Sequence, residues 1–122
     1  MWRLRADSDA AYLRFLKRVR DNGVLWHIRI TDSDEPLTCP SWEHEGAEVF
    51  PFWSAEAYAR RNCADLDFEV FVEAIQLPRF MEYWLPKMME DGIIAGPDWD
   101  RNFAGREITA NDLALALTQP QG

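Results

Sequence analysis

A chain of 122 residues with 48% hydrophobic side chains, six Trp and seven Phe can bury roughly two-thirds of its unfolded surface, and it is too apolar for intrinsic disorder. A formal net charge of −8 argues against a nucleic-acid partner, because counterion release at phosphates needs a basic face; it leaves room for a basic protein partner. No segment approaches the ~20 apolar residues that span a bilayer, so no membrane association is expected.

The charge is uneven, with +3 over residues 1–21 and −11 over residues 22–122. Surplus carboxylates first serve solubility. Met1-Trp2-Arg3-Leu4-Arg5 lacks the apolar run of a secretory signal. Cys39 and Cys63 are too few to staple a domain that can build its own core, so both are read as free thiols in a reducing, cytoplasmic setting.

From Ser8 or Asp9 onward, Tyr12, Leu13, Phe15, Leu16 and Val19 recur at helical spacing, with Arg14, Lys17, Arg18 and Arg20 on the other face. Asn22-Gly23 predicts a left-handed exit, and the late basic residues complement the helix dipole. Val24 to Ile30 alternates with period two, which predicts a strand with His27 on its more polar face. The acidic turn from Thr31 to Pro36 leads to an edge or irregular strand between Leu37 and Trp42, interrupted by Pro40. Ala47 to Phe52 predicts the next strand, and Ser54 is placed to cap a helix over about Ser54 to Asn62.

Phe68 to Ile75 predicts a strand with one dry face. Leu77-Pro78 opens a helix whose stripe of Phe80, Met81, Trp84, Leu85, Met88 and Met89 faces the core, with a kink or two short helices expected around Pro86. Asp91-Gly92 ends it. A short strand from Ile93 to Ala95, an irregular loop from Gly96 to Gly105 and a last strand at Glu107-Ile108 follow; Thr109 caps a final helix carrying Leu113, Leu115 and Leu117. Residues 1–7 and 119–122 are expected to fray. The interleaving predicts a single α+β domain over residues 1–122, a mostly antiparallel sheet of about four to six short strands packed with three to four helices.

The chemistry-bearing residues form no familiar pattern. Cys39 and His44 stand five apart around Pro40, and no pair has the spacing that pre-organises zinc, so no metal or cofactor is expected. The run from Asp32 to Pro36 opens like a calcium loop, but Leu37 stands where that loop needs glycine. A thiol of Cys39 or Cys63 beside His27 or His44 is a conceivable hydrolytic nucleophile only if the fold brings them together. Neither a serine elbow nor a phosphate-cradling glycine loop is present.

Phe50-Pro51-Phe52-Trp53 followed by Tyr58-Ala59, then Ile75-Gln76-Leu77 with Phe80, Trp84-Leu85-Pro86 and Asp91-Gly92, resembles the bacterial family catalogued as domain of unknown function 2750, from about Trp26 to Leu117. That resemblance implies a small single-domain cytoplasmic protein and brings no activity or catalytic residues. Trp42 beside Glu43 and Glu45, and Trp99 between Asp98 and Asp100, are aromatics flanked by acids in irregular segments. Each indole reads either as packed in the core or tethering its loop, or, with the flanking acids, as a partner-binding anchor of a non-enzymatic module, regulatory or immunity-like in role. The alternatives are a small hydrolase built on the Cys, His and carboxylate residues, and a homodimer pairing through the edge near Leu37 to Trp42.

Overall fold

In a computed structural model, residues 2–119 are described, with side chains from Asp7 onward. The first helix, α1 (Trp2–Asn22), begins well before Ser8. Fraying was expected over residues 1–7, yet Trp2 to Asp7 are helical; Met1 and residues 120–122 lie outside the described residues. Gly23, with φ of +69°, ends α1 by donating to the Val19 carbonyl at 2.8 Å.

The chain then runs through β1 (Val24–Ile30), β2 (Glu35–Pro36), β3 (Cys39–Pro40), β4 (Glu48–Phe52), α2 (Glu56–Cys63) and β5 (Val70–Gln76). The helical stretch α3 (Leu77–Arg79), a π turn (Phe80–Trp84) and α4 (Leu85–Asp91) follows without a break, before β6 (Ile94–Pro97), β7 (Ile108–Thr109) and α5 (Ala110–Thr118). The fold is α+β. Three of its strands, β2, β3 and β7, are only two residues long.

Strand order is β2-β1-β5 in one sheet and β3-β4-β6-β7 in the other. All pairings are antiparallel except β4 with β6, where Phe50 sits opposite Ala95 and Phe52 opposite Pro97. The sheets are joined at an isolated bridge in which Trp26 and Trp53 exchange backbone hydrogen bonds of 2.9 and 2.8 Å. Among the described residues no helix is long and apolar enough to cross a membrane.

Two clusters of buried side chains lie on opposite faces of β1. One gathers Phe15 and Val19 of α1, Leu25, Phe52, Phe80, Leu85 and Leu113. The other holds Ile28, Leu37, Trp53 and Ala59. The aromatic corner at Phe52-Trp53 feeds both, because successive strand residues point to opposite sheet faces. Phe52 meets Phe80 edge-on at 4.9 Å and Trp84 at 5.8 Å; each such pair contributes about 0.5–1.5 kcal/mol beyond its burial.

Burial on both faces corrects the reading of His27. A half-solvated strand would put it toward water, but the π turn lays Trp84 across that face, 4.6 Å from the imidazole, and His27 is 2% exposed. Around Pro86 the stretch divides into the short helical pieces α3 and α4 on either side of the π turn. The proline ring leaves no room for the Glu82 carbonyl in a regular α-turn; the preceding turn widens instead, so that Leu85 N–H donates to Phe80, five residues back.

Ser54 does not cap α2, whose N-cap is Ala55 with no side-chain bond. Thr109 does cap α5, accepting from Asp112 N–H at 3.1 Å. The segment after β6 wraps Trp99, which is completely buried. A Cβ on Gly96 would stand 2.5 Å from the Trp99 ring, and one on Gly105 2.8 Å. Gly96→Ala should therefore destabilise by about 1–3 kcal/mol through overpacking. The check is a lowered urea midpoint at unchanged slope; a wild-type midpoint would show that the ring gives way freely.

Candidate functional site

Of the six expected partner-binding residues, the fold leaves Trp42, Glu43 and Glu45 on the surface and treats the other three differently. Trp42 is 69% exposed, yet it is fixed. Its backbone N–H donates to Glu107 Oε2 at 2.7 Å, its indole Nε1–H to the Phe103 carbonyl at 3.0 Å, and the adjacent Ser41 hydroxyl to Glu107 Oε1 at 2.5 Å. Ser41 Oγ also accepts from the backbone of Glu43 and His44 at 3.1 and 2.8 Å, which closes the turn. One carboxylate thus mounts the segment on the far end of the chain.

Trp42 stands between two clefts. On one side a hollow of about 560 Å³ is lined by Leu37, Cys39, Leu66, Phe68 and Phe103 with the indole itself. Phe68 is 45% exposed there. On the other side a cleft of about 380 Å³ runs between α1 and the segment after β6, with Asp7, Asp98, Asp100 and Arg106 in its walls. An apolar surface and an acidic one therefore meet at a single indole.

Trp99 and Asp98 are corrections. Trp99 is no exposed anchor: its Nε1–H donates to the Arg106 carbonyl at 2.8 Å, while its own carbonyl accepts from Trp53 Nε1–H at 2.9 Å. A large aromatic with both polar ends satisfied belongs in the interior. Asp98 is buried, accepting from Ser54 N–H at 2.7 Å, Ser54 Oγ–H at 2.8 Å and Arg14 Nε–H at 3.1 Å. This is where the Ser54 hydroxyl goes instead of capping α2. Asp100 is exposed, but its carboxylate accepts from Asn102 and Ala104 N–H, so it holds the loop's shape.

The thiols are not activated. Burial pushes the Cys39 thiol up to about 11, and burial also raises Cys63 against an opposing effect of Arg60. The imidazole of His27 is engaged elsewhere, Nε2 donating to Glu73 Oε1 at 2.8 Å. Neither thiol is thus the low-pKa thiolate that a nucleophile requires.

The His27, Glu73 and Arg29 cluster was not apparent from the sequence. Only the register of β1 on β5 sets His27 opposite Glu73, and Arg29 Nε–H shares the same Oε1 at 3.0 Å. His27 Nδ1 has no hydrogen-bond partner among the described residues. Burial lowers the His27 pKa from 6.5, against the opposing pull of Glu73. Burial alone would raise Glu73, but its bonds from His27 and Arg29 hold it below 4.5.

Both shifts act in the same direction with pH. A native histidine held neutral lets the unfolded chain take up a proton first, so stability falls as pH drops below about 6.5. The Glu73 contribution is present above its unfolded value and is lost at lower pH, as its folded pKa is crossed. Urea midpoints should therefore fall from pH about 7.5 to about 5, and His27→Leu should flatten that slope. An unaltered slope in the variant would remove His27 as its source.

No curated protein matches the chain. The family profile described as "Protein of unknown function (DUF2750)" matches residues 12–117, a span that takes in the aromatic corner, the π turn, the Trp99 loop and the Trp42 mount; the chain belongs to that family.

Proposed function

We propose that the chain is a non-enzymatic binding module whose Trp42 edge docks a protein segment carrying an apolar side chain next to a basic one. The observation that carries this is the mounted indole, 69% exposed yet held by its own backbone and ring hydrogen bonds. A side chain already fixed in place loses little freedom on binding, and Trp is the commonest kind of interface anchor.

The neighbours define the partner. An apolar group fits the hollow beside Cys39 and Phe68. A Lys or Arg fits the acidic side, where Glu43 and Glu45 are exposed and the second cleft presents Asp7 and Asp100. The −8 net charge favours encounter with a basic partner over a wide range. A cytoplasmic, regulatory or immunity-like setting suits a module of this kind with protonated thiols.

Self-association through β3 is less favoured. That strand ends its sheet but spans two residues, and Pro40 offers no backbone donor. Light scattering over a dilution series distinguishes a stable dimer from a monomer.

Affinity capture from the native host, run in parallel on wild type, Trp42→Ala and Glu45→Lys, tests the docking surface. A partner held by wild type should bind Trp42→Ala at least about 30-fold more weakly, as expected for losing ~2 kcal/mol or more at an anchor. Unfolding of the variant should move by less than about 1 kcal/mol, because the lost side chain is mostly in water. A partner retained equally by both variants would overturn the assignment of this surface.

A further inference from the structure

We infer that Arg14, Arg18 and Arg61 around Tyr58 form a site for a phosphate-type oxyanion, either inorganic phosphate or a phosphate monoester. The guanidinium carbons of the three arginines lie 5.0, 5.3 and 5.3 Å from the centroid of one tyrosine ring. Arg14 and Arg18 are one turn apart on α1, and Tyr58 and Arg61 one turn apart on α2. The cluster exists only where these two helices meet.

Elsewhere among the described residues Lys17, Arg29, Arg60, Lys87, Arg101 and Arg106 each pair with a carboxylate, while Arg20 reaches the Ala116 carbonyl and Arg79 stacks alone on Tyr83; only around Tyr58 do several guanidiniums share one ring. Within the cluster Arg14 pairs with Asp98. Arg18 and Arg61 have no carboxylate partner among the described residues, although acids outnumber bases 21 to 13 in the chain.

Charge repulsion opposes this arrangement. Like charges four apart on a helix repel, and Arg18 lies outside the last turn of α1, where the dipole would favour it. Arg61 does lie in the last turn of α2, but that does not account for bringing it to a ring already shared by two guanidiniums. The attraction of the ring face for cations offsets part of the repulsion and holds the side chains in place.

The chemistry matches a dianion. Two unpaired positive charges balance the charge of about −1.5 to −2 on a phosphate group. Planar guanidinium forks match phosphate oxygens two at a time. Arg18 Nη1–H donates to Tyr58 Oη at 2.9 Å, which occupies an acceptor lone pair and leaves the phenolic O–H to donate to the ligand. Repulsion from the acidic body is screened beyond roughly 8 Å at physiological salt.

The full chain is titrated with sodium phosphate and, separately, with glycerol phosphate, at constant ionic strength against sodium chloride. Arginine Nε–H and tyrosine ring resonances are followed by NMR. Saturable shifts at Arg18, Arg61 and Tyr58 are expected with one anion or both; tighter binding of glycerol phosphate identifies an esterified phosphoryl group, and tighter binding of inorganic phosphate the free ion. Arg18→Gln with Arg61→Gln should weaken binding at least about tenfold, the loss of a charge-assisted contact. In chloride the double variant should melt at the wild-type temperature or higher, because a repulsion has been removed. Arg61→Gln alone, altering an exposed side chain, serves if the double variant does not fold. Shifts that follow ionic strength alone, or equal binding by wild type and variants, would overturn the site.

Discussion

Trp99 is packed so closely between Gly96 and Gly105 that neither position has space for a Cβ, and its two polar ends are tied to Trp53 and Arg106. The chain on both sides must follow the indole. Before it, Asp98 adopts φ of +47° and turns its carboxylate onto Ser54 and Arg14. After it, Phe103 adopts φ of +53° and packs edge-on against Trp53 at 6.2 Å. A backbone bent this way twice persists only because a buried ring and a buried carboxylate over-determine it.

The exposed site rests on that buried one. The Phe103 carbonyl and the Glu107 carboxylate that hold Trp42 both lie on the loop shaped by Trp99. Asp98 at the same time draws Arg14 toward Tyr58, where Arg18 and Arg61 gather. The acidic cleft beside Trp42 and the arginine cluster therefore share one buried carboxylate, although they present opposite charges to solvent. Opposite signs on neighbouring faces keep the acidic surplus from acting as one uniform field.

Much of the element plan was legible in the sequence, because period and punctuation carry it. The stripe of Phe15, Leu16 and Val19, the alternation from Val24 to Ile30 and the cap at Thr109 all read directly into structure. What failed depends on neighbours distant in the chain. His27 looked half-solvated because no local pattern shows that Trp84 will cover it. Ser54 looked like a cap because its competing partner Asp98 is 44 residues away. Trp99 was open to both a core and an anchor reading because acids flank it, whereas the informative signal was a pair of glycines spaced to admit a ring. Trp42 is exposed, as its irregular segment suggested, but the residue that mounts it, Glu107, was legible only as part of a last strand.

The parallel pairing of β4 with β6, Val49 opposite Ile94, has a consequence for the order of events as the protein is made. Synthesis proceeds from the N-terminus at roughly 5–20 residues per second, so Trp42 leaves the ribosome well before the strand and loop that support it. Until Glu107 follows, the Ser41 turn has no carboxylate to hold it, and the indole is an unanchored hydrophobe on a nascent chain. The mounted Trp42 edge is thus a late product of folding, and a chain cut short before Glu107 would carry the tryptophan without its mount.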